Sequence, residues 1–129
     1  MIKTARVKQN DIPADEICQL VVKGMQEKKA QNIVVLNLKG VKNAIADYFV
    51  ICSGKSDTQI DAIADSVDEE VFKETQVNPW HREGKNQKEW VLIDYVDVVA
   101  HVFKQERRDF YRLEELWGDA EFTYIEDEA

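Results

Sequence analysis

The sequence predicts a single α/β domain in which a mixed β-sheet is flanked by helices. Segments with helical periodicity alternate with short apolar runs along the chain, and the last of these runs form a hairpin within residues 89–103. The 129 residues match one domain, and no internal repeat, low-complexity tract or Gly/Ser linker divides them. We therefore expect one core with helices on the faces of one sheet.

The first half of the chain predicts two helices and two strands. Residues 12–29 place apolar side chains at helical spacing, with Asp11 as a candidate N-cap. Residues 33–38 and 48–53 are rich in β-branched and aromatic side chains, which is typical of buried strands. Residues 56–59 have the S-x-x-Q form of a capping box, so a second helix begins there.

This second helix has two distinct faces. Its apolar stripe consists of Ile60, Ile63, Ala64, Val67 and Val71. Asp57, Asp61 and Asp65 recur on the outer side, and we interpret them as a solvated helix face.

Residues 80–83 and 89–103 supply further strands. Residues 105–117 supply a last helix with four inward-facing side chains, Phe110, Leu113, Leu116 and Trp117.

The net charge of −8 is unevenly distributed. Residues 1–118 contain 20 acidic and 17 basic side chains, a net charge of −3, whereas residues 119–129 contain five acidic side chains and no basic one. We divide the chain into a domain, residues 1–118, and an acidic C-terminal tail, residues 119–129. Composition favours a solubilising, frayed terminus for the tail, and contact with a basic partner is the alternative.

Composition also indicates a cytoplasmic protein. The apolar runs are far shorter than the roughly 20 residues of a membrane helix, and the N-terminal residues lack the apolar segment of a secretory signal. The two cysteines, Cys18 and Cys52, are too few for a disulfide scaffold and fit reduced, packed thiols.

Motifs for enzymatic chemistry are weak. Residues 53–56 could place backbone N–H groups and a lysine beside a phosphate, yet the P-loop and dinucleotide glycine patterns are absent. Asp94 and Asp97 are three residues apart and lack the D-x-D spacing of metal-assisted nucleotidyl transfer. His81 and His101 have no metal-ligand neighbours at zinc spacing, and His101 is interpreted as a hydrogen-bonded structural histidine. We predict no enzyme, metal or cofactor.

Two binding hypotheses remain from the residues alone. An RNA-binding surface would use a group of basic and aromatic side chains, namely Trp80, Arg82, Lys85, Lys88 and Trp90. Glu83 and Glu89 interrupt that group, which disfavours direct RNA contact. Trp90 and Tyr95 instead suit a protein interface, with core packing an equal alternative for Trp90 and exposure beside a turn expected for Tyr95.

Several motifs in order resemble the ribosomal silencing factor family, also called RsfS or Iojap. They are DYFVICSGKSD at 47–57, IAD at 63–65, EG at 83–84, WVLIDYVDVVAHVF at 90–103 and LEELWGD at 113–119. The resemblance covers about residues 14–119 and leaves the acidic tail outside. Two positions depart from the family pattern: Lys55 replaces the usual Thr, and Val96 replaces the usual Gly of the hairpin turn. We expect Val96 to resist a positive φ and a tight turn.

The resemblance implies an α/β domain similar to the nucleotidyltransferase fold but without its catalytic acids. It implies a factor that binds ribosomal protein L-fourteen of the large ribosomal subunit, sterically blocks joining with the small subunit and represses translation without a cofactor. A homodimer when free is also compatible with it. The alternatives are an RNA-binding ribosome assembly module and a nucleotidyltransferase-like enzyme.

Carried over by motif position, the expected partner-binding residues are Trp90, Asp94, Tyr95, Asp97 and His101, with Glu83, Arg108 and Tyr111 at their flanks. Trp90 and Tyr95 are assigned as apolar anchors. Asp94 and Asp97 are assigned to pair with lysine or arginine side chains of the basic partner.

Overall fold

A computed structural model describes residues 6–84, 86–111, 115 and 117–127. The helices are α1 (Ala14–Glu27), α2 (Asp57–Thr75) and α3 (Gln105–Tyr111). The strands are β1 (Gln31–Asn37), β2 (Tyr48–Gly54), β3 (His81–Glu83), β4 (Trp90–Asp94), β5 (Val98–Lys104) and β6 (Glu121–Tyr124). The predicted fold class, one α/β domain with a mixed sheet flanked by helices, is confirmed. No helix in the described ranges is long and apolar enough to cross a membrane.

The six strands form one sheet in the order β3-β4-β5-β2-β1-β6. The central strands β2 and β5 run parallel, from Tyr48 beside Val98 to Gly54 beside Lys104, and every other neighbouring pair is antiparallel. A parallel pair needs a long connection between its strands, and here that connection contains α2, β3 and β4. Both central strands are buried on both faces, which explains why their sequences are almost continuously apolar.

The two faces of the sheet belong to two apolar clusters. On β5, Ala100 and Val102 pack with residues of α1 and α2, such as Val21 and Val67. Val99 and Phe103 alternate with them and join a second cluster on the opposite face. Trp117 packs against this second cluster, as predicted, whereas Leu113 and Leu116 lie outside the described residues. The predicted last helix is confirmed over residues 105–111. Residues 112–114 and the Phe110 side chain lie outside the described part of the structure.

Of the two predicted helix N-caps, the one of α2 is confirmed and the one of α1 is not. The Ser56 hydroxyl accepts a hydrogen bond from the Gln59 backbone N–H at 3.1 Å, which confirms the predicted cap of α2. The Gln59 side chain differs from the standard box, because its Oε1 accepts from the Lys55 N–H at 2.7 Å. Asp11 does not cap α1. Pro13 occupies the N-cap position without a side-chain cap, so that prediction is wrong.

The outer face of α2 is ion-paired rather than simply solvated. Its acidic side chains meet a row of basic side chains from the strands and their connections: Asp57 with Lys104 at 3.0 Å, Asp61 with Lys88 at 2.8 Å, Asp65 with Arg82 at 3.1 Å and Asp68 with Arg82 at 2.8 Å. The predicted solvation holds for Asp57 and Asp65, which are exposed. The sequence missed the ion pairs, because the basic partners lie 14 to 47 residues away and become neighbours only in the folded sheet.

The C-terminal segment contributes a strand. Residues Glu121–Tyr124 form β6 and pair antiparallel with β1, for example Phe122 beside Leu36. Phe122 also packs against the second apolar cluster. The interpretation as a frayed terminus is therefore wrong for these four residues, although the division into a domain and an acidic tail at residue 118 stays a prediction.

The turn between β4 and β5 has a positive φ at Val96, a backbone conformation that a valine disfavours. Val96 has φ +75°, and the Asp97 N–H donates to the Tyr95 carbonyl at 3.0 Å, a hydrogen bond across two residues that is typical of a γ-turn. The Asp94 carboxylate accepts from the Val96 N–H at 2.7 Å. The expectation that Val96 resists positive φ is wrong, because these side-chain and backbone bonds hold it there.

Val96→Gly should stabilise the protein. A valine at positive φ costs about 1–2 kcal/mol, of which the greater flexibility of glycine in the unfolded chain offsets about half. We expect the free energy of unfolding, measured by urea denaturation, to rise by about 0.5–1 kcal/mol. Val96→Ala is the matched control and should not stabilise, since alanine retains the unfavourable φ. Equal stability of the glycine and alanine variants would show that Val96 is not strained.

Gly24→Ala should destabilise the contact between α1 and α2. A Cβ at Gly24 would lie 2.7 Å from Val67 Cα and 2.9 Å from the Ser66 carbonyl oxygen, both of which belong to the backbone of α2. We expect a loss of about 1–3 kcal/mol in unfolding free energy, measured by urea denaturation. Gly40→Ala is the control, because its added Cβ meets no atom within 4 Å. A neutral Gly24→Ala would mean that the two helices separate without cost.

Candidate docking site

Four predicted site residues lie on the sheet face opposite α1 and α2. Paired residues on neighbouring strands project to the same side, and Asp94 pairs with Val99 while Trp90 pairs with Phe103, both members of the second apolar cluster. His101 and Glu83 lie on the same face, because each pairs with Leu92, which packs against the second apolar cluster. We name the accessible part of this surface the docking face; its residues are His81, Glu83, Trp90 and Leu92.

Trp90 is half-buried and held on several sides. Its ring stacks on Phe103 with centroids 5.2 Å apart, and its Nε1–H donates to His101 Nδ1 at 3.0 Å. It is therefore neither plain core nor a freely moving surface group. A large aromatic side chain that is already oriented loses little conformational freedom on binding, which favours a role as an anchor.

His101 supports Trp90 from below. It is 3% exposed, and it lies edge-on to Phe49 with ring centroids 4.6 Å apart. Burial in this apolar surrounding lowers the pKa of His101 to about 3, with Asp94 opposing that shift. The prediction of a hydrogen-bonded structural histidine is confirmed. Its burial leaves it unable to contact a partner directly, so within the site it positions Trp90.

Asp94 and Asp97 already have basic partners within the chain. Both carboxylate oxygens of Asp94 pair with the Arg6 guanidinium, at 2.7 and 2.9 Å, and Lys8 Nζ lies 2.6 Å from Asp97 Oδ2. Asp94 is only 7% exposed. The sequence assigned both acids to a partner's basic side chains and missed these pairs. The available signal was the N-terminal stretch of residues 1–8, which has three basic side chains and no acidic one.

Tyr95 faces away from the docking face. It is 2% exposed, and its hydroxyl donates to Asp68 Oδ1 on α2 at 3.0 Å. Burial, then the Asp68 carboxylate, raises the pKa of Tyr95 above its ordinary value. The expectation of an exposed anchor is wrong, because the turn directs this side chain beneath α2.

Arg108, the first of the two flanking residues on α3, lies away from the acidic turn. The Arg108 guanidinium donates to the Asn32 carbonyl and, at 3.0 Å, to the Ser53 hydroxyl. Ser53 lies at the end of β2 farthest from the β4–β5 turn, so the structure does not bring Arg108 to Asp94 or Asp97. Tyr111 is the last residue of α3, and its side chain lies outside the described part of the structure.

The basic and backbone groups suggested for phosphate or RNA binding have partners within the chain where the structure describes them. Within the described residues no group of three or more His, Cys, Asp or Glu side chains could hold a metal ion. The backbone N–H of Lys55, which a phosphate would need, already donates to Gln59. Arg82 and Lys88, the basic members of the suggested RNA surface, pair with acids of α2, and Lys85 lies outside the described residues.

Stability should fall as the pH is lowered through the titration of His101. The unfolded histidine binds a proton with a pKa near 6.5 and the folded one only near 3, so protons favour the unfolded chain between these values. Between pH 7 and 5 the wild type should lose about 2 kcal/mol from this group.

His101→Gln retains an acceptor for Trp90. Between pH 7 and 5 its free energy of unfolding, measured by urea denaturation, should fall by about 2 kcal/mol less than that of the wild type. Identical pH dependence of His101→Gln and the wild type would show that His101 titrates as freely in the folded protein as in the unfolded chain.

Comparison with known proteins gives a consistent result. A family described as "Ribosomal silencing factor during starvation" matches residues 11–129. The "Ribosomal silencing factor RsfS" of Halalkalibacterium halodurans is 45% identical over 111 residues, which cover 86% of this chain and 93% of that protein. A crystal structure of protein CV0518 from Chromobacterium violaceum has a TM-score of 0.77 at 30% identity and covers 92% of this chain and 97% of its own.

A more distant relative is the mouse "Mitochondrial assembly of ribosomal large subunit protein 1", 29% identical over 113 residues, which cover 81% of this chain and 49% of that protein. The family match over residues 11–129 includes β6 at the edge of the sheet. This chain belongs to the ribosomal silencing factor family, whose members act in ribosome-related regulation of translation.

Proposed function

We propose that this protein binds ribosomal protein L-fourteen on the large ribosomal subunit through its docking face, blocks joining with the small subunit and so represses translation in the cytoplasm. One observation carries the proposal: an oriented, half-exposed tryptophan lies on a sheet face beside an exposed acidic edge. The family description supports a silencing role, and the name of the mouse relative supports the large subunit as the partner.

The centre of the docking face has the properties of a binding anchor. Trp90 is fixed by its stack on Phe103 and by its hydrogen bond to His101, and the half-buried Leu92 lies beside it on β4. Fixed aromatic groups surrounded by apolar neighbours are the commonest source of binding free energy in protein interfaces. A basic partner that covers Trp90 and Leu92 would bury both without reordering the sheet.

The edge of the docking face supplies polarity. Glu83 and His81 are exposed on the short edge strand β3, with His81 Nε2 3.0 Å from Glu83 Oε1. Unlike Asp94, Glu83 is 63% exposed at its side chain and is accessible to a lysine or arginine of a partner. Such rim charges mainly set association rate and orientation, whereas the apolar centre sets residence time.

A blocking role requires a stable contact and no chemistry. A standard interface covers about 800 Å² of each partner, roughly a tenth of this protein's 7668 Å² surface. The rest of the domain would remain outside that contact and occupy space between the subunits. We propose on this basis that the protein is not an enzyme and acts by occupancy.

Trp90→Ala should weaken binding to large subunits by about 30-fold or more, because a hot-spot aromatic contributes about 2 kcal/mol or more. The measurement is cosedimentation with purified large subunits, followed by a subunit-joining assay. Phe72→Ala is the matched control, since Phe72 is a 42% exposed aromatic residue on α2, on the opposite side of the sheet.

Circular dichroism and urea denaturation must show that Trp90→Ala remains folded. Trp90→Phe preserves an aromatic ring over Phe103 but removes the N–H donor to His101, and it should retain most of the affinity. Unchanged subunit joining with saturating wild-type protein would overturn the blocking function. Undiminished binding by a folded Trp90→Ala would remove Trp90 from the interface. Retention on naked RNA would instead favour an RNA-binding module.

A further inference from the structure

The N-terminal arm, defined as residues 6–10, lies against the β4–β5 turn. The Arg6 guanidinium pairs with both oxygens of Asp94, and Lys8 pairs with Asp97. Arg6 also donates to the Val96 carbonyl at 2.7 Å and to the Ile45 carbonyl at 2.8 Å. The two acids expected to meet a basic partner are thus covered by basic side chains of the same chain.

The geometry of this contact defines what the acidic turn accepts. Arg6 and Lys8 are two residues apart on a segment without helix or strand, and they reach Asp94 and Asp97, which flank the turn. An extended basic segment with an arginine or lysine at every second position would present the same groups. That is the chemistry of the proposed partner, a basic ribosomal protein.

The contact is also of a kind that can be exchanged. The side chains of Arg6, Lys8 and Asp97 are 25–28% exposed, so water and competing cations reach them. The contacts that Arg6 and Lys8 make with the turn come from their side chains. The partly exposed Lys8–Asp97 pair is weak individually, whereas the pair between Arg6 and the buried Asp94 has two hydrogen bonds and is the stronger one. The arm lies outside the region that matches the family, which begins at residue 11.

We propose that the N-terminal arm is an intramolecular competitor that occupies Asp94 and Asp97 and must be displaced before a basic partner can pair with them. This inference rests on the proposed function and adds a mechanism that regulates the affinity of the protein for its partner. Together the two ion pairs favour the bound arm over the released arm by about tenfold. The apparent affinity for the partner is reduced by the same factor, because only the released form offers both acids.

The test compares wild type with the double variant Arg6→Ala/Lys8→Ala in binding to purified ribosomal protein L-fourteen and to isolated large subunits. We expect the variant to bind about three- to tenfold more tightly. Removing two positive charges also makes the chain more acidic overall. Lys28→Ala/Lys55→Ala is the matched control, because both lysines are exposed at the opposite end of the sheet and their loss changes the net charge equally.

A second measurement separates competition from a purely structural role. A synthetic peptide of residues 6–13, added in excess, should weaken the binding of the double variant, and a peptide with alanine at positions 6 and 8 should not. If the double variant proves unstable in thermal melts, Lys8→Ala alone retains the Arg6 contacts with the turn and should show a smaller gain in affinity.

The outcomes are distinguishable. A folded double variant that binds no more tightly than wild type or than the lysine control overturns the competitor role and leaves the proposed function intact. Tighter binding that the peptide fails to reverse also overturns it. Failure of every variant and of wild type to bind large subunits overturns the proposed function, and the inference falls with it.

Discussion

The parallel pairing of β2 with β5 is the constraint on which the rest of the structure depends. Both strands are buried on both faces, so each needs a layer above and below. The chain between them supplies α2 for one face and the β3–β4 strands for the sheet edge. The connection ends with β4, which lies beside β5. There Trp90 stacks on Phe103 on the face opposite α1 and α2, and this position leaves the docking face accessible.

Ion pairs hold α2, which belongs to this connection, against the strands of the sheet. The acids of α2 pair in sequence with Lys104, Lys88 and Arg82, and the Tyr95 hydroxyl adds a bond to Asp68. Each pair is partly solvated and contributes little alone, but together they fix how the β3–β4 strands sit against the helix. The orientation of the docking face therefore depends on a row of contacts on the other side of the sheet.

The proposed site combines a fixed aromatic side chain with a cover that we propose to be exchangeable. Trp90 is held by stacking and by a neutral histidine whose burial keeps it uncharged, so the anchor does not change with pH near neutrality. The acidic turn is held differently, through ion pairs with a segment outside the shared domain. Regulation of such a factor is simplest at the exchangeable part, because altering the anchor would also alter the core.

The sequence by itself determined the helices, the strands β1 to β5, the cap at Ser56 and the apolar stripe of α2, because periodicity and capping act within a few residues. Motifs also led to the proposal of Trp90 and Glu83 as partner-binding residues, and the structure places both on one face of the sheet. Only the tertiary structure decided that Tyr95 points beneath α2, that residues 121–124 join the sheet and that Asp94 pairs with Arg6. That last contact spans 88 residues, and no local pattern specifies which charges a fold brings together over such a distance.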